Sequence, residues 1–224
     1  IGNKFAGSIV NRTPNTVYEI EVTVSDPDGC TSCTAQTVTT TTRIIPPATD
    51  VSAVRYVAPG SGGGSGTIGN PYLGLAAANA VAACGDEFLL QAGAYPAFTP
   101  TVNGCSWTNA ITYRGINSDS VYLDGAGATG PVLTCNTRQY LVFERITFQN
   151  AHFLVSCDSS DGMVFRENIF RVINLPGDEY GLLIGTDSTN AYVADNQFYG
   201  NSGWPRTDPV SGVTVPAGFG LKWA

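Results

Sequence analysis

Two stretches of this chain, YLVFERITFQN at 140–150 and GMVFRENIFRV at 162–172, superpose at a shift of 22 residues. The same shift carries VLTC (132–135) onto LVSC (154–157), so Phe148 falls on Phe170 and Cys135 on Cys157. A third copy, GLLIG (181–185) with AYVADNQFYG (191–200), follows once the charged insertion LPGDEY is allowed for. It maps Phe170 onto Phe198 and Asn168 onto Asn196, and GFGLKW near the end begins a further copy. A unit this short cannot bury an apolar face alone. Short strands at this period therefore predict an all-β solenoid whose matching apolar residues stack inside, one coil on the next. Asparagines at a matching turn predict a ladder of side-chain amides.

Composition narrows the function classes. Charged residues are 13% of the 224, about half the roughly 25% usual in soluble proteins. At 43% hydrophobic the chain is too apolar to be disordered, and its polarity comes from Ser, Thr, Asn and Gly. Eleven Lys and Arg face 18 Asp and Glu, a net charge of -7 with no basic cluster. Nucleic-acid binding thus lacks its electrostatic footprint, and an anionic substrate is repelled unless a cation intervenes. No apolar run approaches the ~20 residues of a membrane-spanning helix. The sequence opens IGNKFAGS without Met, so residues upstream are expected.

Six cysteines are present, and only Cys30 and Cys33 have metal-ligand spacing. A structural zinc site needs four ligands, and His152 is the single histidine. Disulfides, and with them a secreted or cell-surface location, are the better reading.

Residues 1–45 read as strands. VYEIEVTVSD (17–26) alternates and TAQTVTTTTR (34–43) is β-branched, with the turn DPDGC between them. NRTPNTVYEIEV (11–22) resembles the proline–threonine–tyrosine approach to a central strand of fibronectin type III domains, with Thr13 where leucine is usual. The resemblance covers only the last strands of that sandwich. Such a partial sandwich leaves an inner face and edges open, so a fragment of a longer protein is expected. Completion by a neighbouring chain, giving a homo-oligomer or filament, is the alternative. Residues 46–50, within IIPPATD, form a proline-stiffened linker.

The stretch GSGTIG satisfies G-x-G-x-x-G through Gly64, Gly66 and Gly69. A dinucleotide site also needs further alternating strand and helix units, and none follows. The glycines instead predict a flexible turn into a helix over about 71–83, with Pro71 in its first turn and Gly85 beyond its end.

From RYVAPGSGGGSGTIGNPYLGLAAANAVAACGDEFLLQAGAY onward the chain resembles the N-terminal cap and first coil of secreted pectate-lyase-like proteins. ITYRG (111–115) and VYLDG (121–125) resemble the next coil. The resemblance implies a right-handed parallel β-helix over 51–224 whose short helix caps one end. Within it, Cys135 and Cys157 occupy one position in successive coils, near the ~4.8 Å strand spacing, and are expected to pair. Cys84 with Cys105 is expected to tie the cap helix to the first coil. Cys30 and Cys33 remain as a loop disulfide or as free thiols.

Proteins of this fold mostly act on polysaccharides, through calcium-binding carboxylates with an Arg or Lys base, or through two separated carboxyls. Asp158 and Asp161 in CDSSDG are the calcium candidates, weighed against ordinary turn residues. Asp178, Glu179, Asp187 and Asp195 follow the same logic. Arg145, Arg166 and Arg171 are candidate bases, but local or cross-coil ion pairs with Glu144 and Glu167 explain the first two. His152 reads as structural, and Trp107 as cover for a disulfide. Tyr180, Tyr199 and Trp204 are candidate sugar-stacking platforms, and Asn11 opens a glycosylation sequon followed by Pro14. Two functions survive. One is a structural or adhesive extracellular module without a complete catalytic site, and the other is a polysaccharide lyase or hydrolase whose catalytic coils lie outside this chain. No cofactor is required by the first; calcium belongs to the second.

Overall fold

The computed structural model describes residues 11–25, 28–29, 33–42, 53–171, 180–199, 205–207, 214–216 and 221–223. The chain divides into two compact units, Ile1–Pro47 and Ala48–Ala224. The linker expected at 46–50 lies outside the described residues.

In the first unit Val17–Val22 runs antiparallel to Gln36–Thr41, pairing Val17 with Thr41 through to Val22 with Gln36. Thr42 closes the open end, its N–H donating to the Thr16 carbonyl at 2.9 Å and its hydroxyl accepting from the Thr16 N–H at 2.9 Å. The Tyr18 hydroxyl accepts from the Thr13 N–H, which anchors the proline-containing approach to the strand. Tyr18 and Ile20 are half-buried, while Val17, Val22 and Val38 are exposed. Cys33 is disulfide-bonded, and its expected partner Cys30 lies outside the described residues.

Among its described residues the second unit is all-β apart from one short helix, and its two large sheets, seven strands each, are parallel. Three strand positions recur in order. Leu141–Glu144 lies in one sheet, and the long Thr147–Cys157 then supplies two positions in the other. Its Thr147, Phe148 and Gln149 pair with Ile169, Phe170 and Arg171, whereas Phe153, Val155, Ser156 and Cys157 pair with Tyr180, Leu182, Leu183 and Ile184. Val164–Arg166 pairs in turn with Leu141–Glu144 and with Tyr192–Ala194. The register is that of the sequence repeat: Phe148 opposite Phe170, Phe170 opposite Phe198, and Leu182 opposite Leu221.

The bend between the first two positions is made the same way each time. Arg145, Glu167 and Asp195, at one position of successive repeats, have φ of 52°, 56° and 56°. The next residue but one starts the new strand, at Thr147, Ile169 and Gln197, and the residue between, Asn168 or Asn196 in the later two repeats, supplies a clamp. Asn168 accepts from the Ile146 N–H and donates to the Phe143 carbonyl, and Asn196 repeats both bonds to Asn168 and Phe165. The asparagine ladder thus bonds to backbone rather than amide to amide, because the turn leaves backbone groups that must be paired.

Inside, two columns of rings run across the strands. Phe88, Tyr113, Phe143 and Phe165 stack at 5.3, 5.4 and 5.4 Å, and Phe148, Phe170 and Phe198 at 5.1 and 4.7 Å. Each such pair adds about 0.5–1.5 kcal/mol beyond its buried area. Disulfides join Cys84 to Cys105 and Cys135 to Cys157, with Cα atoms 5.4 and 4.6 Å apart, the second pair in the register of the repeat.

The helix is shorter than 71–83. It spans Leu75–Asn79, since Tyr72 and Leu73 instead pair in parallel with Val57 and Ala58. Gly74, at φ 85°, starts it where the chain crosses Gly60 so closely that a Cβ would lie 2.3 Å from the Gly60 carbonyl oxygen. Backbone hydrogen bonds also tie the glycine run to its neighbours. The Tyr56 N–H donates to Gly66, and the Ser65 N–H to Asn70. A Cβ on Gly64 would sit 2.0 Å from the Pro71 carbonyl oxygen. These glycines permit close backbone packing.

Candidate functional site

Alternation along the first sheet turns Phe88, Tyr113, Phe143 and Phe165 inward, so the residues beside them face out. Those outward residues form a row of charges that crosses the strands. Arg114 bridges two carboxylates, Nη1 to Glu87 at 2.7 Å and Nε to Glu144 at 2.6 Å, and Arg166 Nε pairs with the other Glu144 oxygen. Arg55 pairs with Asp86 at 3.4 Å, and Arg145 with Glu167 at 2.6 Å. The pairs expected around Arg145 and Arg166 therefore exist, but each arginine takes its carboxylate from the adjacent repeat. Side chains adjacent in sequence point to opposite faces, while those in register across strands lie near ~5 Å.

Beside this row Ala110, Val142 and Val164 form a small outer cluster against which Trp107, Tyr140 and Tyr192 pack. Trp107 meets the Tyr140 ring edge-on at 5.1 Å, so it covers the sheet rather than a disulfide.

The calcium candidates lie on stacked turns. Asp161 accepts at Oδ1 from the Thr189 hydroxyl and the Asn190 amide, both at 2.7 Å. Burial pushes its carboxyl up, but these donors with Tyr140 and the Gly162 N–H outweigh burial and hold it below the usual carboxylate value. Asp158 lies over Gly185, where a Cβ would come 1.5 Å from its Oδ1, and its N–H donates to Asn136. Among the described residues no three His, Cys, Asp or Glu side chains converge as a metal site. Asp187 and Asp195 sit at bends with φ of 59° and 56°. Asp178, Glu179 and Trp204 lie outside the described residues. His152 is half-buried, its ring 6.3 Å from that of Phe153. Asn11 is exposed, at φ 58°.

The two described tyrosines are not brought together. Tyr180 occupies the third strand position, its ring stacked on Phe153 at 5.0 Å. With Pro131, Val155, Ser156 and Leu183 they line a shallow groove of about 160 Å³. Tyr199 occupies the second position, and the Arg171 guanidinium lies 6.0 Å from its ring centre. Its register continues through Arg171 and Gln149 to Asp124. Asp124 Oδ2 accepts from Gln149 at 2.9 Å and Asn150 at 2.7 Å, and Oδ1 from the Ala126 N–H at 2.8 Å. Burial works against ionisation of this carboxyl, yet the three donors hold it below the usual value. Asp124, Gln149 and Asn150 escaped the sequence reading, although the repeat alignment that places Gln149 over Arg171 carried the signal.

No family model matches the chain, and no curated protein or solved structure matches it.

Proposed function

We propose that residues 51–224 form a right-handed parallel β-helix, that residues 1–45 are closing strands of a fibronectin type III-like sandwich, and that the chain serves as a secreted or cell-surface structural and adhesive module. The parallel register at the 22-residue repeat and the recurring bend support the coil reading. Two disulfides support an oxidising compartment, and among the described residues no helix is long and apolar enough to cross a membrane.

One observation carries the functional half. In the second unit Asp86, Glu87, Glu144 and Glu167 are each held by an arginine of the same unit, and amides hydrogen-bond Asp124. General acid catalysis at neutral pH needs a carboxyl whose environment raises its pKa, and the donors around Asp124 hold its carboxyl below the usual value. A polysaccharide is the partner of the adhesive surface. The open apolar face of the first unit, carrying Val38 and Ile20, suits a second copy of the chain or the missing strands of the sandwich.

The aromatic groove at Phe153 and Tyr180 favours a second reading, a polysaccharide lyase or hydrolase whose catalytic coils lie outside residues 1–224. Incubation of the chain with pectin, polygalacturonate and alginate separates the two, with released reducing ends and unsaturated uronate as the readout. The structural reading expects no product. Uronate release abolished by a chelator overturns it.

A further inference from the structure

We infer that the outward face of the second strand position is a binding row for a neutral polysaccharide, formed by Asp124, Gln149, Asn150, Arg171 and Tyr199. The inference deepens the adhesive reading and rests on it.

Four of these residues are register partners on four consecutive parallel strands, Asp124 opposite Gln149, Gln149 opposite Arg171, and Arg171 opposite Tyr199. Their inward neighbours Leu123, Phe148, Phe170 and Phe198 belong to the core, so strand alternation turns the row out. Strands stand about 4.8 Å apart, close to the length of one pyranose residue, so a glycan laid across them meets one side chain per sugar.

The chemistry of the row suits hydroxyl groups. Each sugar hydroxyl both donates and accepts, and vicinal pairs are bound by planar groups with two polar atoms. Asp124 accepts, Arg171 donates, and the Gln149 and Asn150 amides do both. The bonds from Gln149, Asn150 and the Ala126 N–H to Asp124 hold this end of the row in place before a ligand arrives, which lowers the entropy cost of binding. Tyr199 is 52% exposed, so its ring is open to the apolar C–H face of a sugar. One carboxylate and one guanidinium offset each other within the row, while the chain as a whole carries -7. A polyanion is disfavoured by that field, and a neutral glycan is not.

The test is affinity electrophoresis of the full chain in gels containing galactomannan, xyloglucan, mixed-linkage glucan or amylopectin, with polygalacturonate and alginate as acidic counterparts. Arg171→Ala, Tyr199→Ala and Gln149→Ala probe the row, Glu19→Ala in the first unit is the control, and circular dichroism confirms that each variant folds. At least one neutral polymer should retard the parent chain, and the Arg171 and Tyr199 variants should bind it at least tenfold more weakly while the control is unchanged. Retardation by acidic polymers alone, or by none, overturns the inference. Retention of parent affinity in all row variants also overturns it, yet leaves the adhesive reading standing, because binding then occurs elsewhere on the chain. Product release in the preceding assay is the separate outcome that removes the adhesive reading itself.

Discussion

Removing the charge of Glu144 is the sharpest test of how the parallel strands are held in register. Its carboxylate is 7% exposed and takes one arginine from each neighbouring repeat, Arg114 at 24% exposure and Arg166 at 15%. Glu144→Gln keeps the shape and deletes the charge that Arg114 shares with Glu87 and that Arg166 meets on its own strand register. Breaking a fully buried pair costs about 3–5 kcal/mol; partial access of both arginines to water lowers the expectation to about 2–3 kcal/mol. The half-exposed pair Arg145–Glu167, at 48% and 47%, is the internal control, and Glu167→Gln should cost less than about 1 kcal/mol. Equilibrium urea unfolding followed by circular dichroism, disulfides intact, reads both variants. A cycle adding Arg166→Met should recover much of the loss, because a methionine leaves no cation beside the amide. Equal destabilisation by Glu144→Gln and Glu167→Gln, or an additive cycle, would show that the charge row does not couple neighbouring repeats.

Tyr113 has a buried hydroxyl with no hydrogen-bond partner, while burial and the nearby Asp86 charge push its pKa up. Tyr113→Phe keeps the ring stack and should raise stability by about 1 kcal/mol, read as a higher urea midpoint at unchanged slope. Thr137, β-branched at φ 60° on an exposed turn, should gain about 1 kcal/mol on change to Gly or Asn, measured the same way. Asp161 has a folded-state pKa below its unfolded value, so its contribution is present above that unfolded value and is lost as pH falls through the folded one. Asp161→Asn should therefore be less stable than the parent at pH 7, and the difference should begin to shrink as the pH falls below about 4 and close once it has passed the folded-state pKa. A gap constant over that range would assign the effect to the amide's geometry instead of the charge.

Much of the parallel architecture was legible because inward residues repeat. Phe148, Phe170 and Phe198 declare one column of rings once the insertion before the third copy is allowed for, and Cys135 with Cys157 declares one covalent rung once the copies are read as stacked coils. The helix was misjudged because LAAANAVAA has helical propensity throughout, while pairing of Tyr72 and Leu73 with the strand ending at Ala58 is a long-range event. The glycine run was read as loose for a similar reason. Composition reports what glycine allows, whereas the hydrogen bonds of Tyr56 and Ser65 show what the chain does there. For the candidate row, sequence supplied Tyr199, and the neighbours that give it chemical meaning came from sheet register.

By itself, then, the sequence determined the repeat, the faces that point inward and the cysteines that meet, since these depend on local alternation and a constant period. Tertiary structure decided which charges pair, how long the helix is, and that Asp124, Gln149, Arg171 and Tyr199 share one outward line. Partners across parallel strands lie at variable separations in sequence, 25 residues from Asp124 to Gln149 and 28 from Asn168 to Asn196, and only the folded sheet brings them to one strand spacing.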